Sequence, residues 1–221
     1  MNFSESYINI HTHHKAKDEN VIAVVDLSSQ ENPDFLSERY VSYGIHPWHL
    51  TEENTDLKLH RLQTALQSAI FAIGEVGLDK LQGAEIISQE KVFQEVILLS
   101  EQYQKSLIIH CVKAWEQLLA ARKMSRTNLP WIVHGFHGSK ELARQLLEHG
   151  LFLSFGESLL RNISLQSTFS SVPLNKIFLE TDDADMSIED VYICAAKVKN
   201  ISLEGLKQTV AENFITVFNL K

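Results

Sequence analysis

Six side chains in this sequence are of metal-binding type, and each closes a run of β-prone, apolar residues: His11, His13, Glu75, His110, His134 and Asp182. His11 and His13 follow Tyr7-Ile8-Asn9-Ile10 two positions apart, and side chains two apart in a strand point the same way, so both imidazoles can reach one ion. Four imidazoles with two carboxylates suit one or two divalent ions of borderline softness, zinc or manganese above all. Magnesium fits less well because it prefers all-oxygen shells. Two ions about 3.5–4 Å apart can clamp a water, deprotonate it and stabilise the oxyanion that forms, with Glu75 as the natural bridge. A His-x-His pair alone signals little; the repetition of ligand types at successive strand ends carries the weight.

Those ends belong to eight expected strands, over residues 7–13, 21–27, 40–45, 69–75, 107–110, 130–134, 151–155 and 176–182. Period-3.6 patterns between them predict helices: a brief one over 34–39 after a turn at Asn32-Pro33, then 56–67, 86–103 with its stripe Val92, Val96, Leu99 and Tyr103, and 114–123. Ser139 reads as the N-cap and Gly150 as the C-terminal cap of the next. A further helix begins near Ser187, and Leu206, Val210, Phe214 and Val217 mark an amphipathic closing helix. Eight strands alternating with helices is the count of an α/β protein of the (β/α)8 TIM-barrel class, compact with short loops, and we expect one domain over residues 1–221. Functional groups in such a barrel gather at the C-terminal ends of the strands. A doubly wound open sheet is the alternative, and it brings fewer strand ends around one centre.

A chain of 221 residues, 44% of them hydrophobic, can bury one large core. With 20 Lys and Arg against 28 Asp and Glu, the net charge of −8 argues against avid nonspecific nucleic-acid binding, although a bound metal can still engage a phosphate. Cys111 and Cys194 are too few for a disulfide scaffold and are expected as thiols. Met1-Asn2-Phe3-Ser4-Glu5 has neither a basic nor an apolar leader region, and no run approaches the roughly 20 apolar residues of a membrane span. A cytoplasmic protein with no membrane association is expected; its oligomeric state is left open.

Six segments follow one another in an order that has a family pattern: Ile10-His11-Thr12-His13, Gly44-Ile45-His46-Pro47-Trp48, Ile73-Gly74-Glu75-Val76-Gly77-Leu78-Asp79, Ile109-His110-Cys111, His134-Gly135-Phe136-His137-Gly138 and Leu179-Glu180-Thr181-Asp182. Over nearly its whole length the chain resembles the TatD family of metal-dependent deoxyribonucleases, among the amidohydrolase-like TIM barrels. The resemblance implies a phosphodiester hydrolase with two divalent metal ions (Zn, Mn or Mg). It implies the pair His11 and His13 as ligands, Glu75 as bridge, His110 and His134 for the second metal, and Asp182 as ligand and base. It also gives His46 a catalytic reading, hydrogen-bonding the scissile phosphate or leaving group; capping the barrel rim is the alternative. The chain departs from the family pattern at Asn9, where aspartate is usual, and at Val112, where arginine is usual. It departs again at Lys80-Leu81 in place of aromatics, at His137 in place of serine, and in the short segment Asp183-Ala184-Asp185-Met186.

The leading reading is thus a metal-dependent hydrolase whose activated water attacks a phosphodiester, with DNA ends as candidate substrates. Two others stay open: amidohydrolase-type cleavage of a small amide or ester, favoured by Val112 and the acidic charge, and a catalytically idle metal-binding barrel. Asp79 and Glu180 read as carboxylates that support ligands, Trp48 as the aromatic on the active face, and Cys111 as a buried structural thiol. His14, His49, His60 and His149 carry no spacing argument and read as surface histidines.

Overall fold

The computed structural model describes residues 3–16, 18–30, 33–36, 38–51, 53–68 and 70–220. By its internal contacts the chain divides into two compact units, Met1–Val25 with Val133–Lys221, and Asp26–Ile132. In chain order the first half forms β1 (Tyr7–Thr12), β2 (Val21–Asp26), β3 (Val41–Ser42), α1 (Thr55–Leu66), β4 (Ile73–Asp79), α2 (Ile86–Tyr103), β5 (Leu107–Val112) and α3 (Trp115–Met124). The second half forms β6 (Trp131–Val133), α4 (Lys140–Glu148), β7 (Phe152–Phe155), α5 (Ser158–Arg161), α6 (Ile163–Ser171), β8 (Ile177–Leu179), α7 (Ile188–Lys199) and α8 (Leu203–Phe218).

In the first unit β1 runs parallel to β2, with Asn9 opposite Ala23, and β7 runs parallel to β8. β1 and the segment after β8 are joined by a bridge between Thr12 and Asp182. A register shift between Asn9 and Thr12 lies where the His-x-His pair begins. The fully buried Tyr192 of α7 turns its hydroxyl to the edge of β1, accepting the Ile8 N–H at 3.0 Å and donating to the Ile8 carbonyl at 3.1 Å. Backbone groups that would otherwise be unsatisfied in an apolar layer are thereby paired. Ser139 Oγ accepts the Leu142 N–H at 3.2 Å at the start of α4, and Gly150 takes φ +81 just after its end, as the sequence predicts.

In the second unit β4 and β5 are parallel, and Ser42 bridges to Ala72 just ahead of β4. α2 spans the predicted 86–103 and buries Val92, Phe93, Val96, Ile97 and Leu99. The ring of Phe93 lies 5.6 Å from that of Trp131.

Several elements differ from expectation. No helix separates β1 from β2, or β2 from β3, among the described residues. Where a helix over 34–39 is expected, Asp34 Oδ1 instead accepts the Leu36 N–H at 3.0 Å, a local turn that competes with helical pairing; Asn32 and Ser37 lie outside the described residues. β3 is only two residues long, and β4 continues past Glu75 to Asp79, with Ala69 of the expected strand outside the described residues. β8 stops at Leu179, three residues before Asp182. α5 and α6 were not foreseen, although Asn162, whose side chain accepts the Leu165 N–H at 3.0 Å, is a recognisable N-cap. Among the described residues no helix is long and apolar enough to cross a membrane.

Candidate metal centre

Each unit gathers its own share of the six ligand candidates around one carboxylate oxygen. In the first unit Asp182 Oδ1 lies 3.5 Å from His11 Nε2 and 3.4 Å from His13 Nε2. The His134 ring lies 4.4 Å from the His11 ring, and ligand atoms of His11, His134 and Asp182 fall within 4.8 Å of one another. Asp182 is fastened by its backbone to β1: its N–H donates to the His11 carbonyl at 3.1 Å, and its carbonyl accepts the His13 N–H at 3.1 Å. Its φ of +52 is a left-handed conformation that aspartate tolerates better than most side chains. Burial alone would raise the Asp182 carboxyl; the hydrogen bonds from His11 and His13, with the charges of His11 and His134, override it and hold the group well below the usual carboxylate range.

Behind these residues stands a set of supports. Glu180, 1% exposed, accepts the Gly135 N–H at 2.7 Å and lies 3.5 Å from His134 Nδ1. Asn9 donates to Thr181 Oγ1 at 2.8 Å and accepts the Thr181 N–H at 3.1 Å. Thr181 Oγ1 donates to Thr12 Oγ1 at 3.2 Å, and Thr12 donates in turn to the Asp182 carbonyl at 3.2 Å. His137 bonds Gly135 O through Nδ1 and Ser158 Oγ through Nε2 at 2.7 Å, so both its nitrogens serve the loop.

In the second unit Glu75 Oε1 is approached by His110 Nδ1 at 2.9 Å and by His46 Nε2 at 3.1 Å. His46 Nδ1 accepts the Trp48 N–H at 3.1 Å, so this ring is the tautomer with its proton on Nε2, and that proton points at Glu75. His46 is therefore a hydrogen-bond donor to the carboxylate as it stands, while its Nδ1 caps the short 3-10 turn Pro47–His49. His110 Nε2 lies 3.2 Å from Asp79 Oδ2, which also accepts the Trp48 indole N–H at 2.6 Å. Burial pushes the Asp79 carboxyl up, but hydrogen bonds from Trp48, the Leu81 N–H and His110 outweigh it and leave the group below its ordinary value. A carboxylate on the far nitrogen of a histidine is the arrangement that orients a metal-binding imidazole. Cys111, one residue on, faces away and is buried, which pushes its thiol up to about 12.

Gly77 allows β4 to approach the His110 backbone: at its φ of +144, a Cβ would fall 2.0 Å from the His110 carbonyl oxygen. Two supports of β4 escape sequence reading. Ser28 Oγ accepts the Glu75 N–H at 3.1 Å and the Gly44 N–H at 2.9 Å while donating to the buried Asp26 at 2.9 Å. Gln89, 1% exposed, pairs with both the N–H and the carbonyl of Asp79, at 2.7 and 2.8 Å. Asp26 did carry a signal, being a carboxylate at the end of an apolar strand; Ser28 and Gln89 carried none.

In the first unit the imidazole nitrogens of His11, His13 and His134 around an Asp182 oxygen fit a divalent ion of borderline softness, and in the second Glu75 and His110 offer a carboxylate oxygen and an imidazole nitrogen of the same kind, His46 serving as a hydrogen-bond donor. The family described as TatD related DNase matches residues 8–219. The chain is 26% identical over 223 residues to an uncharacterized metal-dependent hydrolase, YjjV, of Escherichia coli, covering 91% of this chain and 83% of the relative. It is 28% identical to the human deoxyribonuclease TATDN3, covering 92% and 86%. It is 29% identical over 165 residues to the 3'-5' ssDNA/RNA exonuclease TatD of a Rahnella species, covering 70% and 59%. The crystal structure of Escherichia coli YjjV superposes with a TM-score of 0.83 at 23% identity, covering 99% of this chain and 100% of that one, and gives the fold class as the expected (β/α)8 type. A histidine and carboxylate donor set at the motifs, with a family match from Ile8 to Asn219, places the chain in the TatD related DNase family of metal-dependent hydrolases.

Proposed function

We propose that this protein hydrolyses phosphodiesters, with nucleic-acid ends as substrate, using two divalent ions of the zinc or manganese kind, and that residues 1–221 act as one domain. The observation that carries the reading is the convergence of imidazole nitrogens on carboxylate oxygens, Asp182 with His11 and His13, and Glu75 with His110. His11, His13, His134 and Asp182 would hold one ion and Glu75 and His110 the other; this moves His134 from the second ion, where the family resemblance puts it, to the first, because its ring lies 4.4 Å from that of His11. A divalent ion supplies Lewis acidity when bound, polarising a phosphoryl oxygen and making water nucleophilic at neutral pH. Asp182, held ionised by its histidines, is the group that takes up the proton released by the attacking water. The Nε2 proton of His46 lies on a nitrogen 3.1 Å from Glu75 Oε1 and, when Glu75 turns to a metal, would be released to hydrogen-bond the phosphoryl or leaving-group oxygen. Asp79 and Glu180 keep the rings of His110 and His134 in place. A cytoplasmic location belongs to this reading and is supported by two cysteines that are both free thiols.

A second reading, attack on a carbonyl carbon, is favoured by Val112, a half-buried aliphatic side chain that brings no charge for a phosphate. One experiment separates them: elemental analysis of the purified protein, followed by turnover of bis(p-nitrophenyl) phosphate and of a simple lactone, with manganese, magnesium or zinc added after chelation. Two equivalents of metal and metal-dependent phosphodiester turnover, lost in Asp182→Asn and Glu75→Ala, are expected. Lactone turnover without phosphodiester turnover moves the assignment to carbonyl chemistry, and no recruitable metal removes both.

A further inference from the structure

On the second unit, beside the Glu75 cluster, lies a cavity of 200 Å³ lined by Ser28, Ser29, Gln30, Tyr43, His49, Lys58 and Arg61 together with Gly44. In a chain of net charge −8 this lining contains, among the described residues, a lysine, an arginine, an imidazole and several neutral hydrogen-bonding groups and no carboxylate, the acid Asp26 being bonded to Ser28 behind the wall. Lys58 and Arg61 stand three apart on α1 and so share one face of the helix. Neither has a hydrogen bond or ion pair to its charged head among the described residues. Lys58 is half-buried and Arg61 is exposed at the mouth of the cavity; burial first and the Arg61 charge second hold Lys58 below its ordinary value. Folding alone gives no return for that arrangement, whereas a bound anion relieves it.

The cavity shares its wall with the candidate centre. Ser28 Oγ receives both the Gly44 and the Glu75 N–H groups, and the His49 ring lies 5.4 Å from that of His46. We propose that this cavity is an anion subsite that holds a phosphoryl group of the substrate next to the one being hydrolysed. The guanidinium of Arg61 can present a planar fork to two phosphoryl oxygens, Lys58 adds a point charge, and Ser29, Gln30 and His49 line the same cavity with further hydrogen-bonding groups. A carboxylate uses only part of such a set. The group held is either an internal phosphate of the chain or a terminal one, and both share this chemistry. In substrate terms the inference rests on the phosphodiester reading; as a statement about anion binding it does not.

The test begins with chelator-treated protein and inorganic phosphate, by isothermal titration calorimetry. Wild type is expected to bind phosphate, Lys58→Gln with Arg61→Gln to weaken it at least tenfold, Lys58→Arg to retain most of it, and Lys91→Gln, on the exposed side of α2, to leave it unchanged. KM is then compared for a dinucleotide with and without a terminal phosphate. A rise in KM of the double variant for both substrates assigns the subsite to an internal phosphate, and a rise only for the phosphorylated one assigns it to a terminal phosphate. Phosphate binding that is absent, or equal in wild type and the double variant, overturns the subsite even if hydrolysis is intact. Phosphate binding as expected with no phosphodiester turnover keeps the anion site and sinks the proposed function instead.

Discussion

Asn9 and Thr181 are joined by two hydrogen bonds in opposite senses, the Asn9 amide donating to Thr181 Oγ1 at 2.8 Å and its carbonyl accepting the Thr181 N–H at 3.1 Å. An aspartate in this place can only accept. Asn9 is 5% exposed, so the amide satisfies both partners without bringing a charge into a buried position. The departure from the family pattern at this position is thus locally consistent: it frees the Thr181 hydroxyl to donate onward to Thr12.

Asn9→Asp is therefore expected to destabilise the protein by about 1–3 kcal/mol, since the Thr181 hydroxyl would turn back to the carboxylate and abandon Thr12. Urea unfolding measures it. A variant as stable as wild type would mean that the two-way bond contributes nothing net.

Asp79→Asn keeps the shape but removes the charge that holds His110 Nε2 and receives the Trp48 indole. Metal affinity is expected to fall by roughly 10–100-fold, with the circular dichroism spectrum unchanged. Competition against a fluorescent chelator reads the affinity directly, and an unaltered affinity would deny Asp79 its positioning role.

Gln89→Leu fills a similar volume yet leaves the Asp79 N–H and carbonyl without partners. We expect a loss of about 1–3 kcal/mol for those buried groups, read as a shift of the urea midpoint at constant slope. Methionine at the same position should behave alike, because the missing interaction is polar.

Chelation of the ions should leave two sets of imidazoles and carboxylates in place of bound ligands, and the protein should melt at a lower temperature by an amount that grows with metal concentration in the reference sample. Differential scanning calorimetry across a metal titration checks this; a melting temperature indifferent to manganese and zinc would count against any tight site.

Lys199 Nζ bonds the carbonyls of Ser170 and Val172 and sits over the Phe169 ring, and burial lowers its pKa to about 8. The unfolded chain, with lysine near ~10.4, then binds more protons than the folded one between those values, so stability should rise with pH from about 8 to about 10.4. Below about pH 8 this increment is absent. Lys199→Met should flatten that part of the stability curve, and a carbon-13 NMR titration of the lysine side chains should find one group titrating near 8.

The chemistry of this protein was legible in the sequence because the groups that do it sit at strand ends, and strand ends are marked by where an apolar run stops. Alternation alone put His11 and His13 on one side and sent Cys111 to the other. α2, 18 residues long, was legible to its last residue because Val92, Val96, Leu99 and Tyr103 repeat at helical spacing. Elements whose limits depend on partners were not. β4 runs on to Asp79 because Gly77 lets its backbone meet that of β5, and β3 is two residues long although Val41, Ser42 and Tyr43 all make backbone hydrogen bonds with neighbouring segments.

What only the tertiary structure decided is which atoms meet. The sequence named His46 as a donor or a rim cap; in the fold it is both, since the Trp48 N–H occupies Nδ1 and commits the proton on Nε2 to Glu75. It offered Asp79 and Glu180 as supports without saying for which histidine. It said nothing of Ser28, Gln89, Lys58 or Arg61, whose partners lie far along the chain or within a cavity wall. Residue type and period are local properties and can be read from neighbours in sequence. Hydrogen-bond direction, tautomer and the gathering of charge in a cavity depend on distances between segments, and those exist only once the chain has folded.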